Sequence, residues 1–269
     1  MTSARLTALA DLRGDIERIE SHTDAQDLRR VALGHAGADA ALQGGLALGA
    51  LHEVFAEASR HSAAATGFVA GLARRIGVRP LLWVRQDFAE RESGALSLSG
   101  YRELGLDPRL LVTVRAPDAE AALRTAADAL ACDALGCVVL EIWGETRHLD
   151  LVASRKLTLA ARGSGVTGLL LRVAAAPMPS SAETRWIVRA AHSPPTRFGT
   201  APWQQIWGAP VLETTLVRNR HGPNGHWIME WKCDECLFRD APAHPQPVAA
   251  AAADRSHPAA AIAWQRRAG

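Results

Sequence analysis

The fold of this chain is decided around residues 54–68, VFAEASRHSAAATGF. An apolar run typical of a strand leads into a loop of small residues, and an alanine-rich segment typical of a helix follows. This is the order of elements around a phosphate-binding loop, where glycines expose backbone N–H groups, a lysine neutralises phosphate and a hydroxyl holds Mg²⁺. Between Ala56 and Ala65, however, the sequence has neither glycine nor lysine. The loop therefore has the position of a nucleotide site without its usual chemistry.

Strand and helix patterns alternate along the chain after this loop. Helical patterns cover residues 64–76, 118–131 and 149–162. Near-continuous apolar runs predict strands at residues 80–85, 110–115, 137–143 and 168–174. Such alternation favours a mostly parallel sheet flanked by helices. After residue 174 the patterns favour antiparallel strands, and the Gly-Pro-Asn-Gly centre of residues 216–231 predicts a hairpin. The predicted class is α/β with an antiparallel hairpin at the C-terminal end.

Two segments of different composition flank the predicted core. We predict an N-terminal helix and linker over residues 1–30, a core over 31–240 and an Ala/Pro-rich tail over 241–269. We expect the tail to be disordered, because its composition cannot build a core. The N-terminal helix carries an apolar stripe formed by Leu6, Leu9, Leu12, Ile16 and Ile19. That stripe needs a partner surface, either the core of this chain or another protein.

Charge and composition set limits on the class of protein. The chain has 30 basic and 28 acidic side chains, a balance that does not indicate a nucleic-acid or membrane binder. Charged residues run through the first twenty positions, unlike a secretory signal, and no apolar run approaches the roughly 18 residues of a membrane span. We therefore expect a cytoplasmic protein with no membrane partner.

The cysteines invite a metal interpretation that their number does not support. Four cysteines are too few for a disulfide scaffold. Cys233 and Cys236 form a close pair, but they fall short of the ligand set of a structural zinc. We predict two ordinary thiols at a strand end and no metal, with a reversible disulfide as the lesser alternative.

Several stretches together resemble the ImuA family, RecA-like accessory proteins of bacterial error-prone DNA repair cassettes. They are ADAALQGGLALGALHEV (38–54), AATGF (64–68), VVLEI (138–142), SRKLTLAARGSGVTGLLLRV (154–173), APMPSSAETRW (176–186) and the segment from ETTLVRN to EWK (213–232). The resemblance implies a RecA-like core. It also implies work beside an ImuB-type Y-family-like protein, RecA and, indirectly, an error-prone C-family DNA polymerase, in mutagenic synthesis across damaged DNA under SOS control.

The resemblance also implies where the remains of a nucleotide site lie. Ser62 and Thr66 supply hydroxyls at the helix start, and Glu141 stands where recombinases carry a metal-orienting Asp. A water-positioning carboxylate is expected near Gln86 or Asp87. Because the loop lysine is missing, we predict a non-catalytic adaptor without a cofactor. The alternative is an active RecA-like ATPase that binds single-stranded DNA and remodels recombinase filaments.

Two further sets of residues are candidate contacts for larger partners. The stretch AAAPMPSSAETRW (174–186) stands where recombinases have a DNA-contacting loop, with Arg172, Arg185 and Arg189 as candidate phosphate contacts for single-stranded DNA. A plain connection is the alternative for this short, basic-poor loop. Candidate partner contacts are the helix residues Leu6, Leu9, Leu12 and Ile16, together with Trp264 in the tail. A passive tail remains the alternative for Trp264.

Overall fold

The computed structural model describes residues 28–197, 205–206 and 208–242. The strands are β1 (Arg30–Val31), β2 (Leu46–Ala47), β3 (Leu51–Ala56), β4 (Leu81–Gln86), β5 (Leu111–Ala116), β6 (Cys137–Trp143), β7 (Thr167–Val173), β8 (Thr184–Ala190), β9 (Thr196–Arg197), β10 (Gln205–Ile206), β11 (Val211–Asn219), β12 (Gly225–Lys232) and β13 (Leu237–Asp240). The helices are α1 (Ala36–Ala41), α2 (Ser62–Ile76), α3 (Asp87–Ser93), α4 (Leu98–Glu103), α5 (Ala119–Leu130) and α6 (Leu151–Ser164).

Some of the predicted segments lie outside this range. The predicted N-terminal helix over residues 4–20, with Leu6, Leu9, Leu12 and Ile16, falls outside the described residues. So do almost all of the predicted tail and its Trp264. Their roles remain predictions from the sequence.

One nine-stranded sheet organises the core, in the order β13-β12-β11-β8-β3-β7-β6-β4-β5. The six strands from β8 to β5 in this order pair in parallel. β11, β12 and β13 add antiparallel strands beyond β8. This arrangement confirms the predicted α/β class with a mostly parallel sheet and an antiparallel C-terminal hairpin, and it is consistent with a RecA-like core.

The two faces of the sheet are packed in different ways. On one face, α2 contributes Phe68 to a cluster with Trp83 and Trp186, and all three side chains are fully buried. On the other face, α5 and α6 present small residues such as Ala126 and Ala161, which are also fully buried. Small side chains let these two helices lie close to the strands, so the parallel part of the sheet is covered on both sides.

Local signals fix the ends of the helices on the second face. The Asp118 carboxylate accepts a hydrogen bond from the Ala121 N–H at 2.8 Å and so forms the N-cap of α5. Asp150 caps α6 in the same way, with 2.7 Å to the Ala153 N–H. α6 ends at Gly165, whose φ of 77° is the left-handed conformation that glycine adopts without strain.

β3 holds the centre of the sheet, between β8 and β7, and all six of its residues are buried. The segment that follows it therefore lies at the carboxyl edge of the parallel strands, where open α/β sheets bind ligands. Among the described residues, no helix is long and apolar enough to cross a membrane.

Candidate functional site

The loop after β3 is tied to its neighbouring strand by protein contacts. A short 3₁₀ turn at Ser59–His61 leads directly into α2, and the His61 side chain does not cap that helix. Instead, His61 Nδ1 accepts a hydrogen bond from the Ala190 N–H at 3.3 Å. Glu57 accepts one from Arg189 Nη2 at 2.6 Å. Both groups thus connect the loop to β8.

Ser62 and Thr66 line a cavity of about 750 Å³ beside the first turns of α2. Trp83 and Arg85 of β4 also line this cavity, and further walls come from α4 and from residues 208–210. Loop residues 57–61 do not line it. The two predicted hydroxyl groups therefore share one cavity, but that cavity lies on the flank of α2 rather than within the loop.

Glu141, the third predicted nucleotide contact, is part of a buried ion pair. Its Oε2 accepts from Arg85 Nε at 2.7 Å and from Trp83 Nε1 at 3.0 Å. Its Oε1 accepts from Arg85 Nη2 at 3.0 Å. Only 2% of the Glu141 side chain is exposed. Both carboxylate oxygens are thus used in a cross-link between β6 and β4.

Arg85 extends this cross-link to α3. Its Nη1 donates to the Gly94 carbonyl at 3.0 Å, and its Nη2 also donates to Ser93 Oγ at 3.1 Å. Every nitrogen of the guanidinium therefore has a protein acceptor. These contacts hold β4 and β6 against the C-terminal end of α3 and therefore stabilise the fold.

The residues expected to position water serve other contacts. Gln86 is buried, and its Oε1 accepts from the Trp143 N–H at 2.8 Å. Asp87 pairs with Arg115 of the edge strand β5 at 3.0 Å. Neither residue lines the cavity that contains Ser62 and Thr66. The structure therefore does not bring Gln86 or Asp87 together with Ser62 and Thr66.

Arg172 and Arg185 do not fit the prediction that they contact DNA phosphates, because both are buried. Arg172 donates to the Gly144 carbonyl at 3.0 Å, and its guanidinium carbon lies 5.9 Å from the centre of the Phe55 ring. Burial lowers the pKa of Arg172. Arg185 binds the Glu53 carboxylate at 2.7 Å. These arginines occupy the sheet interior, with protein acceptors in place of phosphate.

Arg189 keeps an exposed guanidinium, with 45% of its side chain accessible. It pairs with Glu57 at 2.6 Å and lies 3.8 Å from Glu213. The hydrogen bond that Arg189 donates to Glu57 raises the pKa of Arg189. Its charge is thus balanced by two carboxylates, and a DNA contact at this residue stays a prediction.

The predicted DNA-contacting loop is attached to the body of the protein along its length. The Ala176 N–H donates to Glu145 Oε1 at 2.7 Å, and the Ser181 N–H donates to Ser154 Oγ at 3.1 Å. The Ser180 carbonyl accepts from Arg218 Nη1 at 2.6 Å. These three anchors hold the loop against the segment that follows β6, against α6 and against β11.

The cysteine pair forms a turn between β12 and β13. Cys236 Sγ lies 3.3 Å from the Cys233 carbonyl oxygen, and burial raises the pKa of Cys233. In the part of the chain that the structure describes, no group of three or more His, Cys, Asp or Glu side chains is placed to hold a metal ion.

Sequence reasoning identified Glu141 but missed its partner Arg85. The two residues lie 56 positions apart and face each other only because β4 and β6 pair in register. A charged residue inside each of two apolar strands was the signal that could have suggested a buried pair. No protein-family model and no curated protein matches this chain. The contacts around β3, β4 and β6 therefore carry the functional conclusions.

Proposed function

We propose that this protein is a non-catalytic RecA-like adaptor in SOS-induced mutagenic translesion DNA synthesis. It binds an ImuB-type protein, RecA or both, and reaches the error-prone C-family polymerase indirectly. The main support is the buried pair of Glu141 and Arg85. A carboxylate that orients a metal must keep an oxygen accessible, whereas both Glu141 oxygens accept hydrogen bonds from core donors.

The loop after β3 supports the same proposal. A phosphate-binding loop supplies glycine N–H groups and a lysine ammonium to the β- and γ-phosphates. Residues 57–65 contain neither residue type. The loop's Glu57 and His61 are instead engaged by Arg189 and Ala190 of β8. The loop thus lacks the glycines and the lysine that would hold a triphosphate, and Arg60 is its one arginine.

The second candidate is an active RecA-like ATPase, and one observation favours it. Ser62 and Thr66 line the cavity of about 750 Å³ at the start of α2. The first N–H groups of a helix attract phosphate. Nucleotide binding on this flank would need no lysine, but hydrolysis would still need a metal-orienting carboxylate, and Glu141 is buried.

An adaptor needs surfaces for its partners, and α6 presents one. Three large apolar side chains of this helix are exposed: Leu151 at 54%, Val152 at 61% and Leu159 at 59%. At the helical spacing they share one face with Arg155 and Lys156, which are also exposed. An exposed apolar patch with a polar rim marks an interaction surface. The basic rim suits a partner segment that combines apolar and acidic residues.

The edge strand β5 offers a second surface. It pairs with β4 on one side only, and it ends the sheet. Val112 on this strand is 49% exposed. An open edge of this kind can take an additional strand from a partner through main-chain hydrogen bonds.

Phosphate release by the pure protein, with and without single-stranded DNA, separates the two candidates. We expect no turnover above the blank in either condition. DNA-stimulated turnover that is abolished by Thr66→Ala would establish the ATPase and remove the non-catalytic role. Binding of purified RecA and of an ImuB-type protein, each measured alone, then tests the adaptor. Absence of binding to both would remove the adaptor role.

A further inference from the structure

A second cavity, of about 460 Å³, lies at the amino-terminal edge of the sheet. It forms where β3, β4 and β7 begin and where α2 and α6 end. This edge is opposite to the loop after β3, so the cavity is separate from the site discussed above. Its volume is within the range of ligand-binding pockets, roughly 300 to 1,000 Å³.

The lining of this cavity is basic. Arg29, Arg79 and Arg162 contribute to it, and no Asp or Glu is among its described lining residues. Arg29 and Arg79 are both exposed. The Arg29 side chain makes no hydrogen bond or ion pair within the described part of the chain. Arg79 donates to the backbone carbonyl of Asp133, which uses one of its donors without neutralising its charge.

Arginines that lie close to the lining residues in the sequence also donate to backbone carbonyls. Arg30 Nη1 donates to the Leu42 carbonyl at 2.9 Å, and Arg75 Nε donates to the Ala32 carbonyl at 2.8 Å. Arg74 Nε donates to the Gly105 carbonyl at 3.3 Å. A backbone carbonyl accepts a hydrogen bond from a guanidinium but carries no net negative charge, so the positive charge of the arginine is not neutralised. The amino-terminal edge therefore carries a local positive field, although the whole chain has a net charge of only +2.

Interaction with a helix dipole explains one of the arginines that line the cavity but does not explain Arg29 or Arg79. Arg162 lies in the last turn of α6, where a cation stabilises the helix end. Arg29 and Arg79 lie outside the helices, so this effect does not explain them. Their exposed positions also exclude a role in core packing.

Glycines shape the walls of the cavity. Gly77 and Gly165 both contribute to the lining, and a Cβ added at either would meet no atom within 4 Å. Both have positive φ, at 155° and 77°. Backbone without side chains allows a ligand to approach closely. Bare backbone beside several guanidinium groups suits a compact anion.

We propose that this cavity binds phosphate groups, carried by single-stranded nucleic acid or by a free nucleotide or diphosphate. The planar fork of arginine binds phosphate oxygens through two parallel hydrogen bonds, and Arg29 and Arg79 retain donors for such contacts. This proposal does not rest on the adaptor role. The cavity lies at the sheet edge opposite to the loop after β3, and its ligand is a phosphate group rather than a protein.

The nucleic-acid source is tested by fluorescence anisotropy of labelled oligo-dT over a range of salt concentrations. The double variant Arg29→Gln with Arg79→Gln is compared with Arg124→Gln with Arg147→Gln, an equal loss of charge at exposed positions outside the cavity. We expect the cavity variant to bind at least tenfold more weakly, with the slope of log K against log salt reduced by about 0.7 per lost contact. The control should stay within twofold of the original protein.

The small-molecule source is tested by calorimetric titration of the full-length chain with pyrophosphate and with ADP. Binding that is lost in the cavity variant, while oligo-dT binding is unchanged, assigns the site to a free phosphate compound. The variant Arg29→Lys with Arg79→Lys keeps the charge but not the bidentate fork. It should retain most DNA binding and lose most pyrophosphate binding.

Two outcomes overturn the proposal. One is that the original protein binds neither oligo-dT nor the small phosphates, and the other is that the cavity variant binds both as well as the original does. If only the Arg124/Arg147 control variant lost affinity for oligo-dT, the DNA site would lie outside the cavity, and this result would also contradict the proposal. Binding of RecA and the ImuB-type protein by the cavity variant is measured in parallel, so that failure of this site is distinguished from failure of the adaptor role.

Discussion

Glu141 of β6 and Arg85 of β4 are joined by two hydrogen bonds, of 2.7 and 3.0 Å, with only 2% and 6% of their side chains exposed. The resemblance to recombinases predicts a metal-orienting carboxylate at Glu141, where the structure has this ion pair. Removing one member of a buried pair leaves the other charged and desolvated, which is strongly destabilising. Loss of either residue should therefore lower the stability of the fold.

We predict that Glu141→Ala lowers the free energy of unfolding by about 3 to 5 kcal/mol, because Arg85 is left buried without its carboxylate. Urea denaturation provides the measurement. Glu92→Ala is the matched control, since Glu92 is exposed and should change stability by less than about 0.5 kcal/mol. A Glu141 variant that unfolds like the original protein would contradict the structural role.

We predict that Arg185→Ala and Arg189→Ala differ sharply, although both arginines are on β8. Arg185 is the buried partner of Glu53, so its loss should cost about 3 to 5 kcal/mol of unfolding free energy. Arg189 is 45% exposed, and its ion pair should contribute at most about 1 kcal/mol. Urea denaturation of the two variants side by side gives the comparison. Equal losses would mean that Glu53 is solvated in the absence of Arg185.

We predict that Leu159→Glu weakens binding of RecA or of the ImuB-type protein at least tenfold without lowering the melting temperature. The Leu159 side chain is 59% exposed on the α6 face defined by Leu151, Val152 and Leu159, so the fold does not depend on it. Leu98→Glu is the control, because Leu98 is an apolar residue of similar exposure, 57%, that lies on α4 rather than on α6. Unchanged affinity for both partners would exclude this face from the interface.

We predict that His52 makes the protein less stable as the pH falls below about 6.5. His52 is fully buried, with its ring nitrogens 2.8 Å from Thr184 Oγ1 and 2.8 Å from the Ala47 carbonyl, and burial lowers its pKa. The unfolded chain binds a proton at this histidine before the native state does. The unfolding free energy should therefore drop by up to about 1.4 kcal/mol per pH unit below that point.

The urea midpoint at pH 7.5 and at pH 5.5 checks this prediction. His35 and His221 each lie near a carboxylate, so the comparison is made between the original protein and His52→Gln under identical conditions. The variant cannot titrate at this position and should lose less stability between the two pH values. An identical loss in both proteins would show that His52 does not contribute.

Local patterns in the sequence were sufficient for much of the fold. The predicted helix over residues 64–76 is α2 (Ser62–Ile76), and the predicted strand over 137–143 is β6 (Cys137–Trp143). Asp118, at the start of the predicted helix over 118–131, caps α5. Helical periodicity, apolar runs and capping side chains depend on neighbours a few residues away, so they can be recognised without knowledge of the tertiary structure.

The pattern of apolar runs also predicted the parallel sheet, but it could not give the order of its strands. That order decides which charged residues meet. Arg85 and Glu141 are 56 positions apart, and Arg185 and Glu53 are 132 positions apart. Arginine in a strand has the same appearance in the sequence whether it faces solvent, as Arg189 does, or the interior, as Arg172 does.

The sequence by itself thus determined the elements, their class and a loop after β3 without glycine or lysine. Only the tertiary structure decided that Glu141 is neutralised by Arg85, and that Arg29 and Arg79 line one cavity at the opposite edge of the sheet. The physical reason is that secondary structure follows from local backbone and side-chain preferences. The environment of a charged group depends instead on residues that chain folding brings together from distant positions.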